Sequence, residues 1–231
     1  AYREQEAAQQ RLVQLGEAAR TLSHEIKNPL GTIRMQQAIL ARRLPAEHAG
    51  SLAVIAEETE RIASLTDRVR EFLKDPTGSP EPVDVATVVR ALAHRMDHPI
   101  AVDAPQTPVL VEFDPGRLRS VLENVLRNAV EASPEIETVN VTLSVRHGRA
   151  RLAVSDRGPG ISTQLRERVF DPFFTTKDQG SGVGLAIVRG FVEAAGGTVR
   201  ILDGSGGGTV VELTFPTSCG DQEAGDADSR S

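Results

Sequence analysis

Residues 114–133 read DPGRLRSVLENVLRNAVEAS, and this stretch decides what the larger part of the chain can be. Asp114 is a side chain that accepts from the free N–H groups of a first helical turn, and Pro115 loses nothing at position one, where its missing N–H has no partner anyway. A helix opened this way sets Asn124 and Asn128 four residues apart on one face. Two neutral amide oxygens aimed together suit a magnesium ion carrying nucleotide phosphates; the same pair is equally well an ordinary polar surface.

The flanks of this helix are mixed α and β. Before it, VDVATVVRALAHRM (83–96) reads as a helix, and IAVDA (100–104) and PVLVEF (108–113) read as strands. After it, TVNVTLSVRHG and RARLAVSD alternate as a hairpin. A glycine-rich stretch follows over 157–184, then a helix in GLAIVRGFVEAAGG and a closing strand pair in TVRILDGSGGGTVVELTF. The sum is an α+β sandwich, about three helices on one face of a mixed, mostly antiparallel sheet.

Two motifs in this half suit a nucleotide. SDRGPGI (155–161) ends a strand on Asp156 and continues through Gly158 and Gly160, so the chain can pass close to a ligand while a carboxylate accepts from a group such as an adenine amino; the same letters also fit a plain turn. GSGVGLAIV places Gly180, Gly182 and Gly184 at the opening of a helix, where free N–H groups attract phosphate. It is neither a Walker loop nor a dinucleotide fingerprint. Between these motifs, VFDPFFTTK (169–177) is apolar within a glycine-framed loop and reads as a movable lid.

The first third is different. Leu15, Ala19, Leu22, Ile26, Pro29, Ile33, Gln37, Leu40 and Leu44 follow steps of four and three, and the pattern resumes after PAEHAG as Leu52, Ile55, Thr59, Ile62, Thr66, Val69 and Leu73. Two long antiparallel helices result, with one apolar stripe left uncovered; pairing of two such hairpins as a four-helix bundle makes the expected species a homodimer. LSHEIKNPL (22–30) interrupts the pattern's chemistry. His24 projects away from the stripe beside Glu25, with Asn28 one turn on, and Pro29 should kink the helix by excluding the carbonyl of Glu25. An imidazole held by a carboxylate is a plausible nucleophile, and it is also what a solvated surface histidine looks like. The Pro/Gly/Ser-rich DPTGSPEPVD marks the hinge. The expected division is a hairpin over 1–74, a linker over 75–82, a compact α+β domain over 83–216, and a disordered acidic tail over 217–231.

Composition bounds the rest. With 39% hydrophobic residues the chain can bury a core, which must be aliphatic because it holds seven Phe, one Tyr and no Trp. The one cysteine, Cys219, excludes an internal disulfide framework and suits the cytoplasm. The net charge of −6 has no basic stripe within it, which argues against nucleic acid. No apolar run is long enough to span a membrane, although a longer parent protein can carry an anchor or a sensor domain.

Taken in order, His-Glu-x-x-Asn-Pro, Asn-x-x-x-Asn-Ala, Asp-x-Gly-x-Gly, Asp-Pro-Phe-Phe-Thr-Thr-Lys and Gly-x-Gly-x-Gly-Leu resemble the transmitter region of bacterial two-component sensor histidine kinases, from about Leu15 to Phe215. The form His-Glu-Ile-Lys-Asn-Pro is similar to that of the nitrogen-regulation sensors. The resemblance implies a dimerisation and phosphotransfer hairpin followed by an ATP-binding domain of the type shared with gyrase. It implies His24 as phosphoacceptor, Glu25 as the residue assisting its attack, and Asn28 as the residue orienting water when a response regulator receiver domain is dephosphorylated. Asn124 and Asn128 look like the magnesium and phosphate residues, with Asn128 on the metal, and Asp156 looks like the adenine anchor with Gly158 and Gly160 as its loop. Gly180, Gly182 and Gly184 resemble the phosphate end of the lid, with Lys177 assisting and Phe170, Phe173 and Phe174 packing it. ATP and Mg²⁺ are the implied cofactors. One departure from the wider ATPase family is Asn124, which stands where hydrolases place a water-activating glutamate; an amide cannot take that proton.

Overall fold

The structure, a computed structural model, describes residues 26–134, 136–177, 180–204 and 207–218. These fall into two compact units. One holds the helices up to Asp75 together with Thr175–Val183, and the other holds Pro76–Phe174 and the chain from Gly184.

In the first unit, α1 (26–43) and α2 (Ala49–Phe72) are joined by Leu44, Pro45 and a 3-10 turn, Ala46–His48. Lys27 pairs with Asp67 and Arg34 with Glu60, each at 2.5 Å; a step of seven forward on one helix matches seven back on the other, so the helices are antiparallel. These exposed pairs set register and contribute about 0–1 kcal/mol each. The heptad pattern divides in two. Leu52, Thr59 and Thr66, seven apart, are buried, and so is Leu30. The two threonines satisfy their hydroxyls on the carbonyls of Ile55 (2.6 Å) and Ile62 (2.8 Å). Ile26, Ile33, Leu40, Leu44, Ile55 and Ile62, expected in the buried stripe, are exposed in the single chain. Two helices can cover only one side of each other, so the remaining apolar positions have nothing to pack on.

The second unit is a two-layer sandwich. Its main sheet has the order β2-β4-β5-β7-β6, built from β2 (Ile100–Asp103), β4 (Val139–Arg146), β5 (Arg149–Ser155), β6 (Thr198–Asp203) and β7 (Thr209–Pro216). β2 is parallel to β4 and every other pairing is antiparallel. Along β4 and β5 alternate residues are buried, Val139, Val141, Leu143, Ala150, Leu152 and Val154, while Asn140, Thr142, Arg149 and Arg151 are exposed, so one face meets the helices and the other meets solvent. The helices are α3 (Val85–Arg95), α4 (Pro115–Ala132) and α5 (Gly184–Ala194). α4 supplies Leu118, Val121, Leu122, Val125 and Leu126, all fully buried. At about 1.5–3 kcal/mol per buried aliphatic side chain, this one helix anchors much of the core.

The expected helix over 83–96 begins later, because Glu81–Asp84 form a short strand, β1, antiparallel to β3 (Leu110–Phe113). Asp84 ends that strand and caps α3: its carboxylate accepts from Ala86 N (3.1 Å), Thr87 N (3.3 Å) and, across the turn, Val109 N (2.8 Å). Asp114 caps α4 as expected, accepting from Arg117 N at 3.0 Å, and also holds Ser79 N at 3.0 Å. Phe113 meets Phe215 edge to face at 5.6 Å, which fastens the small sheet to β7.

Candidate active site

α4 is the spine of the site. Asn124 and Asn128 project from one face, Asn124 buried and Asn128 half-buried. The Asn124 amide is held at both ends: Nδ2 donates to the Ser120 carbonyl at 2.9 Å and Oδ1 accepts from Arg127 Nη2 at 2.5 Å. Beside that oxygen lies Gly184, the first residue of α5, where an added Cβ would stand 3.0 Å from Asn124 Oδ1. The start of α5, with its unpaired N–H groups, is therefore docked on Asn124.

Eight residues further along α4, its last turn meets the glycine loop that follows β5. A Cβ on Gly158 would stand 2.7 Å from the Ala132 carbonyl, and Arg157 N donates to Ser133 Oγ at 3.2 Å. Eight residues of helix separate the two ends of the site by about 12 Å. Asp156 lies at this far end, buried, its Oδ1 accepting from Gly158 N and Thr209 N, each at 2.9 Å. Two backbone donors fix the carboxylate plane and leave Oδ2 to be aimed at a ligand. Gly160, at φ +78°, passes 3.3 Å (from its Cβ position) beneath the Gly208 carbonyl.

Thr209 and Gly208, at the β6–β7 turn, escaped the sequence reading. Gly208 has φ +81°, and a Cβ there would lie 2.1 Å from the Asp156 carbonyl oxygen and 2.9 Å from Oδ1. Only glycine fits, and it is what lets Thr209 N reach Asp156. The signal in the sequence was the glycine run of GSGGGT, read only as a hairpin turn.

The lid motif divides between the units. In the second, Phe170 is buried with the Arg189 guanidinium 5.2 Å from its ring, and Phe174 lies under Arg168 at 4.6 Å. Phe173, expected to pack, is instead 64% exposed, with a left-handed φ of 68°. A planar ring on such a backbone points out of the loop rather than into the core. In the first unit, Thr175 Oγ1 accepts from Lys177 N (3.1 Å), Gly180 N donates to the Lys177 carbonyl (3.1 Å), Gly182 has φ +66°, and Arg68 of α2 donates to Ser181 Oγ at 2.9 Å. Asn124, Asn128, Asp156, Gly158, Gly160 and Gly184 thus share one unit, while Lys177, Gly180 and Gly182 belong to the other.

Of the phosphoacceptor motif, His24 and Glu25 lie outside the described residues. Asn28 is exposed on α1, and the helix continues through Pro29. Among the described residues no three His, Cys, Asp or Glu side chains form a metal cage. The Asn128 amide is a single neutral oxygen donor, which fits a cation that takes its other ligands from phosphate and water, as Mg²⁺ does. No described helix is long and apolar enough to cross a membrane.

Comparison with known proteins agrees with this geometry. Residues 14–78 match the family model described as His Kinase A (phospho-acceptor) domain, and residues 113–218 match Histidine kinase-, DNA gyrase B-, and HSP90-like ATPase. Sensor histidine kinase ZraS of Escherichia coli strain K12 is 32% identical over 218 residues, covering 90% of this chain and 47% of that protein. The chain thus spans about half the length of this curated relative. Full-length ShkA in complex with AMPPNP superposes with a TM-score of 0.72 at 32% identity, over 87% of this chain and 46% of that one. Histidine kinase ThkA in complex with response regulator protein TrrA gives 0.66 at 25% identity, over 94% and 66%.

Proposed function

This chain belongs to the two-component sensor histidine kinases, and from that premise we propose that it is an ATP-dependent protein histidine kinase that phosphorylates its own His24 and passes the group to an aspartate of a response regulator receiver domain. The observation that carries the proposal is the line of groups along α4, from Asp156 and its glycine loop at one end to Asn124 and the start of α5 at the other. Oδ2 of Asp156 accepts from the adenine amino group. Asn128 faces the phosphates, where Mg²⁺, when bound, neutralises charge. A ring nitrogen of His24 attacks the γ-phosphorus; the P–N bond forms as the bond to the β-bridging oxygen breaks, ADP leaves with that electron pair, and Glu25 takes the imidazole proton. In the second transfer the P–N bond breaks as an aspartate oxygen of the regulator bonds to phosphorus.

A gyrase-type ATPase without a phosphorylated intermediate is disfavoured at Asn124. Its amide is no base, so it cannot take the proton from an attacking water, and one lone pair of its oxygen is already held by Arg127. The exposed apolar residues of α1 and α2 support a homodimer in which a second hairpin covers them. Asn28, exposed on α1, would orient water in dephosphorylating the regulator. The division into a hairpin (1–74), a linker (75–82), an ATP-binding domain (83–216) and a tail, the likeness to nitrogen-regulation sensors and a cytoplasmic location complete the reading.

Incubation with γ-labelled ATP and Mg²⁺ tests it. The wild type takes up a label that acid removes and alkali spares, and His24→Gln takes up none while still binding ATP. An acid-stable label, or one retained in His24→Gln, identifies another nucleophile and defeats the assignment.

A further inference from the structure

We infer that Arg127 contacts the phosphates of the bound nucleotide, a role that rests on the nucleotide reading above and that the sequence motifs do not assign to it. Arg127 lies three residues after Asn124, within reach of it on the surface of α4, and its side chain is hydrogen-bonded to that asparagine. Its Nη2 donates to Asn124 Oδ1, the same oxygen that lies nearest the Cβ position of Gly184. The guanidinium therefore stands close to where α5 begins, on the same oxygen that the start of that helix approaches.

Its charge is matched only loosely there. The near partner is a neutral amide, and the ion pair with Glu131, 3.9 Å from Nε, is weak because both side chains keep more than a third of their surface in water. A neutral acceptor uses one of five N–H donors. A phosphate offers pairs of charged oxygens that the planar guanidinium fork can engage bidentately, and such hydrogen bonds are about twice as strong as neutral ones. Arg127 can keep Asn124 on Nη2 and give its other donors to phosphate. The simpler role, orienting Asn124 alone, calls for no charge, and the two roles separate by experiment.

Binding of ATP and ADP by calorimetry, and of adenosine by chemical-shift titration, is compared in the full chain for wild type, Arg127→Met and Arg127→Lys at low and high salt. Arg127→Met should weaken ATP about 10-fold or more, leave adenosine within about twofold, and flatten the salt dependence of ATP binding; Arg127→Lys should restore part of the loss. Retained adenosine binding also certifies the fold of the variant. Equal loss for ATP and adenosine, or unchanged ATP affinity, overturns the phosphate role. Wild type that binds no ATP would instead defeat the nucleotide reading itself.

Discussion

Gly208→Ala is the sharpest probe of the adenine end, because Gly207 beside it is a built-in control. Both glycines have positive φ, +98° and +81°, so alanine at either costs about 1–2 kcal/mol of backbone strain. They differ in surroundings: a Cβ at 207 meets nothing within 4 Å, whereas one at 208 falls 2.1 Å from the Asp156 carbonyl oxygen and 2.8 Å from its carbon. Those are main-chain atoms of a buried residue that cannot swing aside, so the β6–β7 turn must move and carry Thr209 N off Asp156 Oδ1. Losing a hydrogen bond to a charged acceptor costs about 1.5–3 kcal/mol, and it frees the carboxylate to rotate away from adenine. The excess of Gly208→Ala over Gly207→Ala should appear in ATP binding as a loss of about 10- to 100-fold, with the two variants closer in melting temperature than in affinity. Calorimetric titration of ATP into both, with thermal scans alongside, measures the excess. Equal ATP affinity in the two variants would refute the view that this turn holds the Asp156 carboxylate.

Acid should weaken the second unit through its caps. Burial alone would raise the Asp84 carboxyl, but the Thr87 hydroxyl and the N–H groups of Val109, Ala86 and Thr87 outweigh it and hold the group below 3.8. A lowered folded value means that the stabilisation is fully present above the unfolded value and is lost as the pH falls through the folded one; Asp84→Asn should therefore flatten the fall of the melting temperature on acidification below the ordinary carboxylate range, and an unchanged slope would remove Asp84 from the account. Asn28→Ala should leave autophosphorylation within a few-fold of wild type yet slow dephosphorylation of the regulator by about 10-fold or more; equal impairment of both would make Asn28 a support for the helix around His24 instead.

Much of the second unit was legible because its signals are local. Asp114 and Pro115 mark the start of α4, and the alternation of VNVTLSVR and RARLAVS marks a hairpin closed by the two-residue turn at His147 and Gly148. The exception, β1, is short, and Val83 and Asp84 read as the start of a helix because an N-cap and a strand end are the same residue there. In the hairpin unit, periodicity identified two apolar stripes but not which positions the sister helix would cover. Leu52, Thr59 and Thr66 are covered and Ile55 and Ile62 are not, a choice made by the facing of the two helices rather than by either sequence alone.

The site divides along the same line. Asp156, Asn124 and Gly184 could be proposed from motif letters, since each letter stands in a local pattern of its own. Gly208 and Thr209 were not, because their meaning lies in a carboxylate 53 residues away. Arg127 was hidden for another reason: an arginine on a half-exposed helix face is ordinary until its neighbour is known to hold it. The same hydrogen bond bears on the chemistry. On the proposed transfer reading, the Asn124 amide supplies no base to water, and the Arg127 hydrogen bond fixes its orientation with one lone pair of the oxygen already taken, so the site would favour an incoming imidazole over water with the fold unchanged around it.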